Sequence, residues 1–146
     1  MRNLARHLDP NHIGRVGLLK SIDYELGYMP KQRAAAPLYT VTGAIGPLTR
    51  DEELMLFRIV QEGIQYFIKR SNSSLIAVQV QGQEDVLLIT ITDKEMQQEA
   101  QQVVNIADKL MSMVYSRSAL IGASLHVDQL QKNETTIHIT FPFSNH

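Results

Sequence analysis

Hydrophobic residues recur every three or four positions in three long segments of the chain, which predicts three helices. The first runs from about Ile13 to Tyr28, and the second begins at Thr49 and ends at a serine-rich break. The third covers residues 94–120, where the sequence contains neither glycine nor proline. Thr49 and Glu52 have the spacing of a capping box, in which each side chain bonds the other residue's backbone N–H, so the second helix is predicted to start there.

Shorter segments alternate apolar and polar residues instead, which is the pattern of strands with one buried face. One short strand is predicted at Leu38–Thr42, and two hairpins are predicted at residues 75–91 and 125–141. The order of elements is helix, strand, helix, two strands, helix, two strands. This order predicts an α+β fold, a two-layer α/β sandwich in which a mixed, mostly antiparallel sheet packs on three helices.

The composition is that of one globular domain and narrows the function only slightly. Of 146 residues, 44% are hydrophobic and 20% are charged, and the formal net charge is -1. A balanced charge gives no general attraction to nucleic acid or to an anionic membrane surface. The chain has no cysteine, which excludes thiolate metal sites and cysteine nucleophiles. The apolar runs are too short for a membrane span, so a cytoplasmic location without a membrane segment is expected.

Three parts of the chain resemble one family of signalling proteins. The run Leu56-Phe-Arg-Ile-Val-Gln-Glu62-Gly-Ile-Gln resembles the N-box helix of the sensor histidine kinases of two-component systems, in the subgroup allied to nitrate and desiccation sensors. Residues 117–128, followed by 135–143, are similar to the family's last helix, glycine turn and terminal hairpin. Residues 4–18 resemble its passage from the dimerisation helix into the catalytic domain.

The resemblance implies the ATP-binding fold that histidine kinases share with gyrases, the chaperone Hsp90 and mismatch-repair ATPases. It divides the chain into the end of a dimerisation helix or linker at residues 1–10 and a histidine-kinase-like ATPase domain at residues 11–146. In that family the nucleotide lies between the N-box helix and a flexible lid; an N-box Asn binds magnesium and an Asp reads the adenine amino group. The residues that the resemblance assigns to the ATP pocket are Glu62, Tyr66, Arg70 and Asp93, with Glu62 also the candidate catalytic carboxylate.

Several positions depart from the family pattern. Tyr66 stands where the family has its magnesium-binding Asn, and a phenol is a poor magnesium ligand. Glu95 and Gln97 replace both glycines of the family's Asp-x-Gly-x-Gly motif, and Asp108 and Leu110 replace those of its second glycine box. Without these glycines the backbone cannot approach phosphate closely. ATP and magnesium are therefore expected to bind weakly or not at all, and the lid is expected to be a continuous helix.

The family's phosphoacceptor histidine is also missing, because no histidine of this chain is followed by an acidic residue. One interpretation is a degenerate domain with impaired nucleotide binding that acts as an interaction or regulatory module. The alternative is the catalytic domain of an active sensor kinase that phosphorylates a histidine on a separate dimerisation segment. A third is a relative of the anti-sigma-factor kinases. The expected partners are a dimerisation or phosphoacceptor segment, another signalling protein such as a response regulator, or a second copy of this chain in a homodimer.

Each candidate residue also has a structural explanation. Asp93 could cap the predicted third helix, and Glu62 could be a solvated residue of an amphipathic helix. Tyr66 either fills the nucleotide site with its ring or lies at the helix surface. A basic cluster either meets phosphate or forms a solvated helix face; it consists of Arg58, Lys69 and Arg70. His126 and His138 could pair across the second hairpin, but no metal site is predicted there because further ligands are not found.

Overall fold

The computed structural model describes residues 10–28, 36–70, 74–95, 121–131 and 134–143. Within these ranges the chain forms two helices and five strands. Their bounds are α1 (Pro10–Gly27), β1 (Leu38–Thr42), α2 (Arg50–Arg70), β2 (Ser74–Gly82), β3 (Val86–Glu95), β4 (Ser124–Gln131) and β5 (Glu134–Pro142). The predicted α+β class is confirmed.

The five strands form one mixed sheet in the order β1-β2-β3-β5-β4. Only β1 and β2 pair in parallel, and the other three pairs are antiparallel. Both predicted hairpins, β2–β3 and β4–β5, are present, and β1 has the predicted bounds. The mostly antiparallel sheet expected from the alternating segments is therefore confirmed.

One face of the sheet is buried under the helices. Alternate side chains of the three central strands form it, namely Ile76, Val78, Val80, Leu87, Ile89, Ile91, Ile137, Ile139 and Phe141. The intervening residues on the other face are mostly Thr, Gln and His. Because successive side chains of a strand point to opposite faces, this division explains the alternating sequence pattern.

The N-terminus of α2 is closed by the predicted capping box. The Thr49 backbone N–H donates to Glu52 Oε1 at 2.9 Å, and the Glu52 N–H donates to Thr49 Oγ1 at 3.1 Å. The first turn also carries Asp51 and Glu53, whose negative charges suit the positive end of the helix dipole. The start of the helix is thus determined by local sequence.

Two predictions about helices need correction. Helix α1 begins at Pro10 rather than near Ile13, and it is broken at Gly17, whose φ of 84° and ψ of 166° are not helical. The predicted third helix does not begin at residue 94, because Lys94 and Glu95 still belong to β3 and pair with β2. A segment without glycine and proline suits a strand as well as a helix, and here the ladder continues. Residues 96–120 lie outside the described ranges, so the rest of that helix stays a prediction.

Candidate functional site

Helix α2 lies directly on the sheet near its middle. A Cβ atom at Gly63 would lie 2.9 Å from Ile91 Cδ1 and 3.3 Å from Ile137 Cδ1, so a glycine permits the close approach. Since α2 is followed by the first residues of β2, which pair with the last residues of β3, the C-terminal turns of α2 run toward the end of β3. The three residues from Gly63 to Tyr66 advance about 4.5 Å along α2, and the two residues from Ile91 to Asp93 advance about 6.7 Å along β3. Tyr66 and Asp93 therefore both lie beyond the contact of Gly63 with Ile91, toward the same end of the sheet.

Asp93 is a buried carboxyl residue at this end of the sheet. It lies in β3 with 0% of its surface exposed, on the same face as Ile91. Thr135 is its partner in the antiparallel register with β5 and is also buried. Among the described residues, the Thr135 hydroxyl has no hydrogen-bond partner. Two buried polar side chains thus lie side by side at this end of the sheet, which makes the position a candidate binding site.

Glu62 and Tyr66 lie one turn apart on the same side of α2. Both are half-buried, and one carboxylate oxygen of Glu62 and the hydroxyl of Tyr66 are enclosed. Tyr66 packs against the hydrophobic core, and its ring meets that of Phe67 edge-on with centroids 5.7 Å apart. The ring is therefore packed against the core and is not fully exposed at the helix surface, while its filling of a nucleotide site stays a prediction.

The other predicted site residues are described less completely. Arg70 ends α2, but its side chain and that of Lys69 lie outside the described part, so a phosphate contact stays a prediction. Asp93 is a strand residue two positions before the end of β3, so it does not cap a helix beginning at residue 94. Glu95, at the first glycine position of the family motif, is in regular strand pairing with Ser74. The second glycine box lies outside the described ranges.

The chemistry of these residues fits a purine base better than a magnesium ion. The carboxyl oxygens of a residue such as Asp93 can accept hydrogen bonds, which suits the exocyclic amine of adenine. Magnesium prefers carboxylate, phosphate, amide and water oxygens in octahedral geometry, and Tyr66 offers a phenol that is engaged in core packing. The donor set present therefore does not fit magnesium at the family's position.

Thr135 was not predicted as a site residue from the sequence. The resemblance includes Thr135 only as part of the terminal hairpin at residues 135–143 and assigns it no role. The sequence gives only a weak indication of its role, because two threonines follow the first residue of β5. Only the register with β3 shows that one of them pairs with Asp93. Cross-strand pairing of this kind is set by the fold and cannot be read from periodicity alone.

A second polar cluster lies on the open face of the sheet, opposite to the helices. His126 and His138 pair in register with ring centroids 5.8 Å apart, which confirms their predicted pairing. Asp128 joins them, with Oδ1 3.2 Å from His126 Nε2 and Oδ2 3.3 Å from His138 Nε2. Within the described ranges, no group of three histidine, aspartate or glutamate side chains could hold a metal ion.

A shallow depression of about 330 Å³ at the other end of the sheet is lined by Ala44, Ile45, Gly46, Gly82, Gln83 and Glu84. Because Gly82 pairs near the beginning of β3 and Asp93 lies near its end, this depression is not part of the candidate site.

In the described part of the chain, neither helix combines the length and the apolar character that a membrane crossing needs.

Comparison of the sequence with known proteins finds sensor proteins. The chain is 30% identical over 94 residues to the sensor protein VraS of Staphylococcus haemolyticus and 32% identical over 94 residues to that of Staphylococcus epidermidis. Each alignment covers 61% of this chain and 25% of the relative. The chain therefore spans about a quarter of the length of these relatives. No protein-family model matches it.

Comparison of the structure finds histidine kinase domains. The domain of the blue-light activated histidine kinase of Erythrobacter litoralis EL346 has a TM-score of 0.60 at 16% identity, covering 91% of this chain and 64% of that one. The domain of the E. coli osmosensor EnvZ has a TM-score of 0.63 at 11% identity, covering 89% and 86%. Full-length ShkA in complex with AMPPNP has a TM-score of 0.57 at 11% identity, covering 95% and 31%. The chain has the fold of a histidine kinase catalytic domain, as its motifs implied.

Proposed function

We propose that this chain is the ATP-binding-fold domain of a two-component sensor protein whose pocket has kept its base-recognising end and lost its magnesium and phosphate end. In this proposal nucleotide binding is weak, and the domain acts as an interaction or regulatory module. The sequence likeness to the VraS sensor proteins and the fold shared with histidine kinase domains support the two-component assignment. We also propose that the chain belongs to the subgroup of sensor histidine kinases allied to nitrate and desiccation sensors.

The observation that carries the base-recognising part is the burial of Asp93. Its carboxylate lies on the helix-facing side of the sheet, next to the buried Thr135. A carboxylate at a fully buried position keeps a hydrogen-bond acceptor inside the fold, where a ligand that enters could reach it. ShkA, which shares the fold, has been seen in complex with the nucleotide analogue AMPPNP. When bound, adenine would supply an N–H donor for this acceptor.

The loss of the phosphate end is inferred from Tyr66 and Glu95. Tyr66 is packed against the core where a magnesium ligand would be needed. Glu95 continues the β3 ladder where a glycine would let the backbone approach phosphate. A carboxylate close to a triphosphate also repels it electrostatically. These features together disfavour a magnesium–ATP complex more than they disfavour binding of the base.

Partners and location follow from the same proposal. A domain of this fold would act on, or dock to, a dimerisation or phosphoacceptor segment or a response regulator, and it would operate in the cytoplasm. A homodimer would form if the segment upstream of α1 continues as a dimerisation helix. Active kinase chemistry on a separate histidine is the competing function, and it requires the magnesium site that Tyr66 disfavours.

Thermal unfolding with adenosine, ADP or ATP tests the base-recognising end. At a ligand concentration of ten times Kd, binding stabilises the folded state by about 1.4 kcal/mol, which raises Tm measurably. We expect all three ligands to raise the Tm of the wild-type chain and none to raise that of Asp93→Asn. Asp85→Asn, which changes an exposed aspartate in the β2–β3 turn, is the matched control and should respond like wild type.

Two results would contradict the proposal. If no adenine ligand raised Tm at millimolar concentration, the pocket would not recognise the base. If Asp93→Asn responded like wild type, the ligand would bind elsewhere. Because Asp93→Asn could also unfold the domain, Thr135→Val provides a second variant, and its circular dichroism and Tm without ligand verify folding. Transfer of phosphate from ATP to a histidine on an added dimerisation segment would favour the active kinase instead.

A further inference from the structure

Helix α2 has the candidate site on one side and helix α1 on the other. Successive residues of an α-helix are turned by about 100°, so Gln61 and Gln65 lie on a different side from Glu62 and Tyr66. The two glutamines contact α1, as their bonds to Glu25 show. Any rotation of α2 about its axis at this interface would therefore move Glu62 and Tyr66 on its other side.

Glu25 is the residue of α1 that binds these glutamines. It is only 2% exposed. Gln61 Nε2 donates to its Oε1 at 3.2 Å, and Gln65 Nε2 donates to its Oε2 at 2.9 Å. Each carboxylate oxygen thus accepts from one of two amides that are one helical turn apart. A buried carboxylate held in this way fixes both the height and the rotation of α2 relative to α1.

The opposite end of the α1–α2 interface is also fixed. The Glu53 carboxylate of α2 accepts a hydrogen bond from the Leu18 backbone N–H, directly after the break at Gly17. The Tyr39 hydroxyl of β1 donates to the Leu19 carbonyl at 2.7 Å. The part of α1 that contains Glu25 is consequently held to both α2 and the sheet, so it can serve as a fixed support.

We propose that Glu25 is a positioning residue for the candidate nucleotide site. By holding Gln61 and Gln65 it sets the rotation of α2, and thereby the placement of Glu62 and Tyr66 on the other side of that helix. The link to nucleotide binding rests on the function proposed above, whereas the effect on Tyr66 does not. Glu25 touches no ligand in this proposal and acts only through α2.

Because the proposal requires a carboxylate at position 25, it can be tested by exchanging the donor and the acceptor in a double variant. A glutamine at this position has one acceptor oxygen, so Glu25→Gln leaves one of the two partner amides facing an N–H group. Adding Gln65→Glu restores an amide–carboxylate pair with donor and acceptor exchanged. Rescue by this double variant is expected only if the bond itself positions α2. Asp23→Asn, at an exposed acid on the same helix, is the control.

The readout is fluorine NMR of the full chain with all five tyrosines replaced by 3-fluorotyrosine. Comparison with Tyr66→Phe assigns the Tyr66 resonance. We expect Glu25→Gln to shift that resonance, Glu25→Gln/Gln65→Glu to return it toward the wild-type position, and Asp23→Asn to leave it in place. The ADP dissociation constant, measured on the same proteins, should rise about fivefold in Glu25→Gln and recover in the double variant.

The outcomes separate this inference from the proposed function. A lower Tm for Glu25→Gln with an unmoved Tyr66 resonance would overturn the inference, because Glu25 would then only hold the helices together. A shifted resonance without rescue by the double variant would also overturn it. If wild-type chain bound no ADP while the resonance shifted and was rescued, the proposed function would fail and the positioning of Tyr66 by Glu25 would stand.

Discussion

Tyr66 replaces a metal ligand of the resembled family with a side chain that packs. Its ring contacts Phe67 edge-on and packs against the hydrophobic core, so under the proposed function it alters both the chemistry and the shape of the site. An aromatic pair of this geometry adds roughly 0.5–1.5 kcal/mol beyond burial. The residue therefore has a structural role that an asparagine could not fulfil.

Tyr66→Asn should restore a magnesium ligand at the expense of stability. We expect the free energy of unfolding to fall by about 2–3 kcal/mol, because a partly buried aromatic side chain is lost. We also expect magnesium to strengthen ATP binding in this variant more than in wild type. Urea unfolding and calorimetric titration measure the two effects. Tyr66→Phe, which keeps the ring, should change neither by much; a magnesium response in Tyr66→Phe would contradict the role assigned to this position.

The partly buried hydroxyl of Tyr39 should make the free energy of unfolding fall in alkaline solution. Burial and the nearby Asp23 raise the pKa of its hydroxyl well above the usual value of 10.0. Because the folded state keeps this proton more strongly than the unfolded state, the contribution of Tyr39 is complete below pH 10 and is lost as pH rises further. The unfolding free energy should fall more steeply between about pH 10 and about pH 12 in wild type than in Tyr39→Phe. Equal slopes in the two proteins would show that the hydroxyl is not protected.

The resemblance located Glu62, Tyr66 and Asp93 but not the residues that support them. Motif spacing along one helix or one strand is visible in a sequence. The pairing of Asp93 with Thr135 depends on strand register, and the bonds from Glu25 to two glutamines connect residues 36 and 40 positions apart. Such contacts exist only after the elements pack, so periodicity could not predict them.

At the scale of elements, the connection from β1 to α2 depends on contact between two glycines. Gly43 has a φ of 77°, and a Cβ atom there would lie 2.1 Å from the Gly82 carbonyl oxygen. A Cβ atom at Gly82 would in turn lie 2.1 Å from the Ala44 carbonyl oxygen. Both obstacles are backbone atoms, so side-chain rearrangement cannot relieve them. This contact directs the chain from the edge of the sheet to the start of α2.

Gly82→Ala should therefore destabilise the domain by about 3 kcal/mol, through forced movement of the β1–α2 connection. Urea unfolding measures the change, and an unchanged m-value would show that the unfolded state is unaffected. Gly27→Ala is the matched control, because no atom lies within 4 Å of its Cβ position. It should alter stability by no more than about 0.5 kcal/mol. If Gly82→Ala were equally harmless, the connection would not be docked as described.

Most elements could be predicted because local pattern and tertiary burial agree. The capping box set the start of α2, and alternation set β1 and both hairpins. Two features could not be predicted. The break in α1 results from one glycine conformation, and the extension of β3 to Glu95 results from pairing with β2. In both places the sequence is compatible with a helix, and long-range structure decides.

At the scale of the whole molecule, the two ends of the sheet differ in character. The end that contains Asp93 and Thr135 is buried and polar, and the opposite end has the glycine contact and the shallow depression. The fold is that of histidine kinase domains, while the chain spans about a quarter of its sensor-protein relatives. The proposed function therefore depends on whether the buried polar end binds a nucleotide and on whether that binding uses metal.

Calorimetric titration of the chain with ATP, once with magnesium and once with a chelator, most directly tests the proposal that the domain binds the base without a magnesium site. A pocket that recognises the base without a metal ligand should bind weakly, with dissociation constants that agree within about twofold in the two conditions, since a twofold change is only about 0.4 kcal/mol. Micromolar affinity that is lost on chelation would contradict the proposal, because it would require a working magnesium site despite Tyr66.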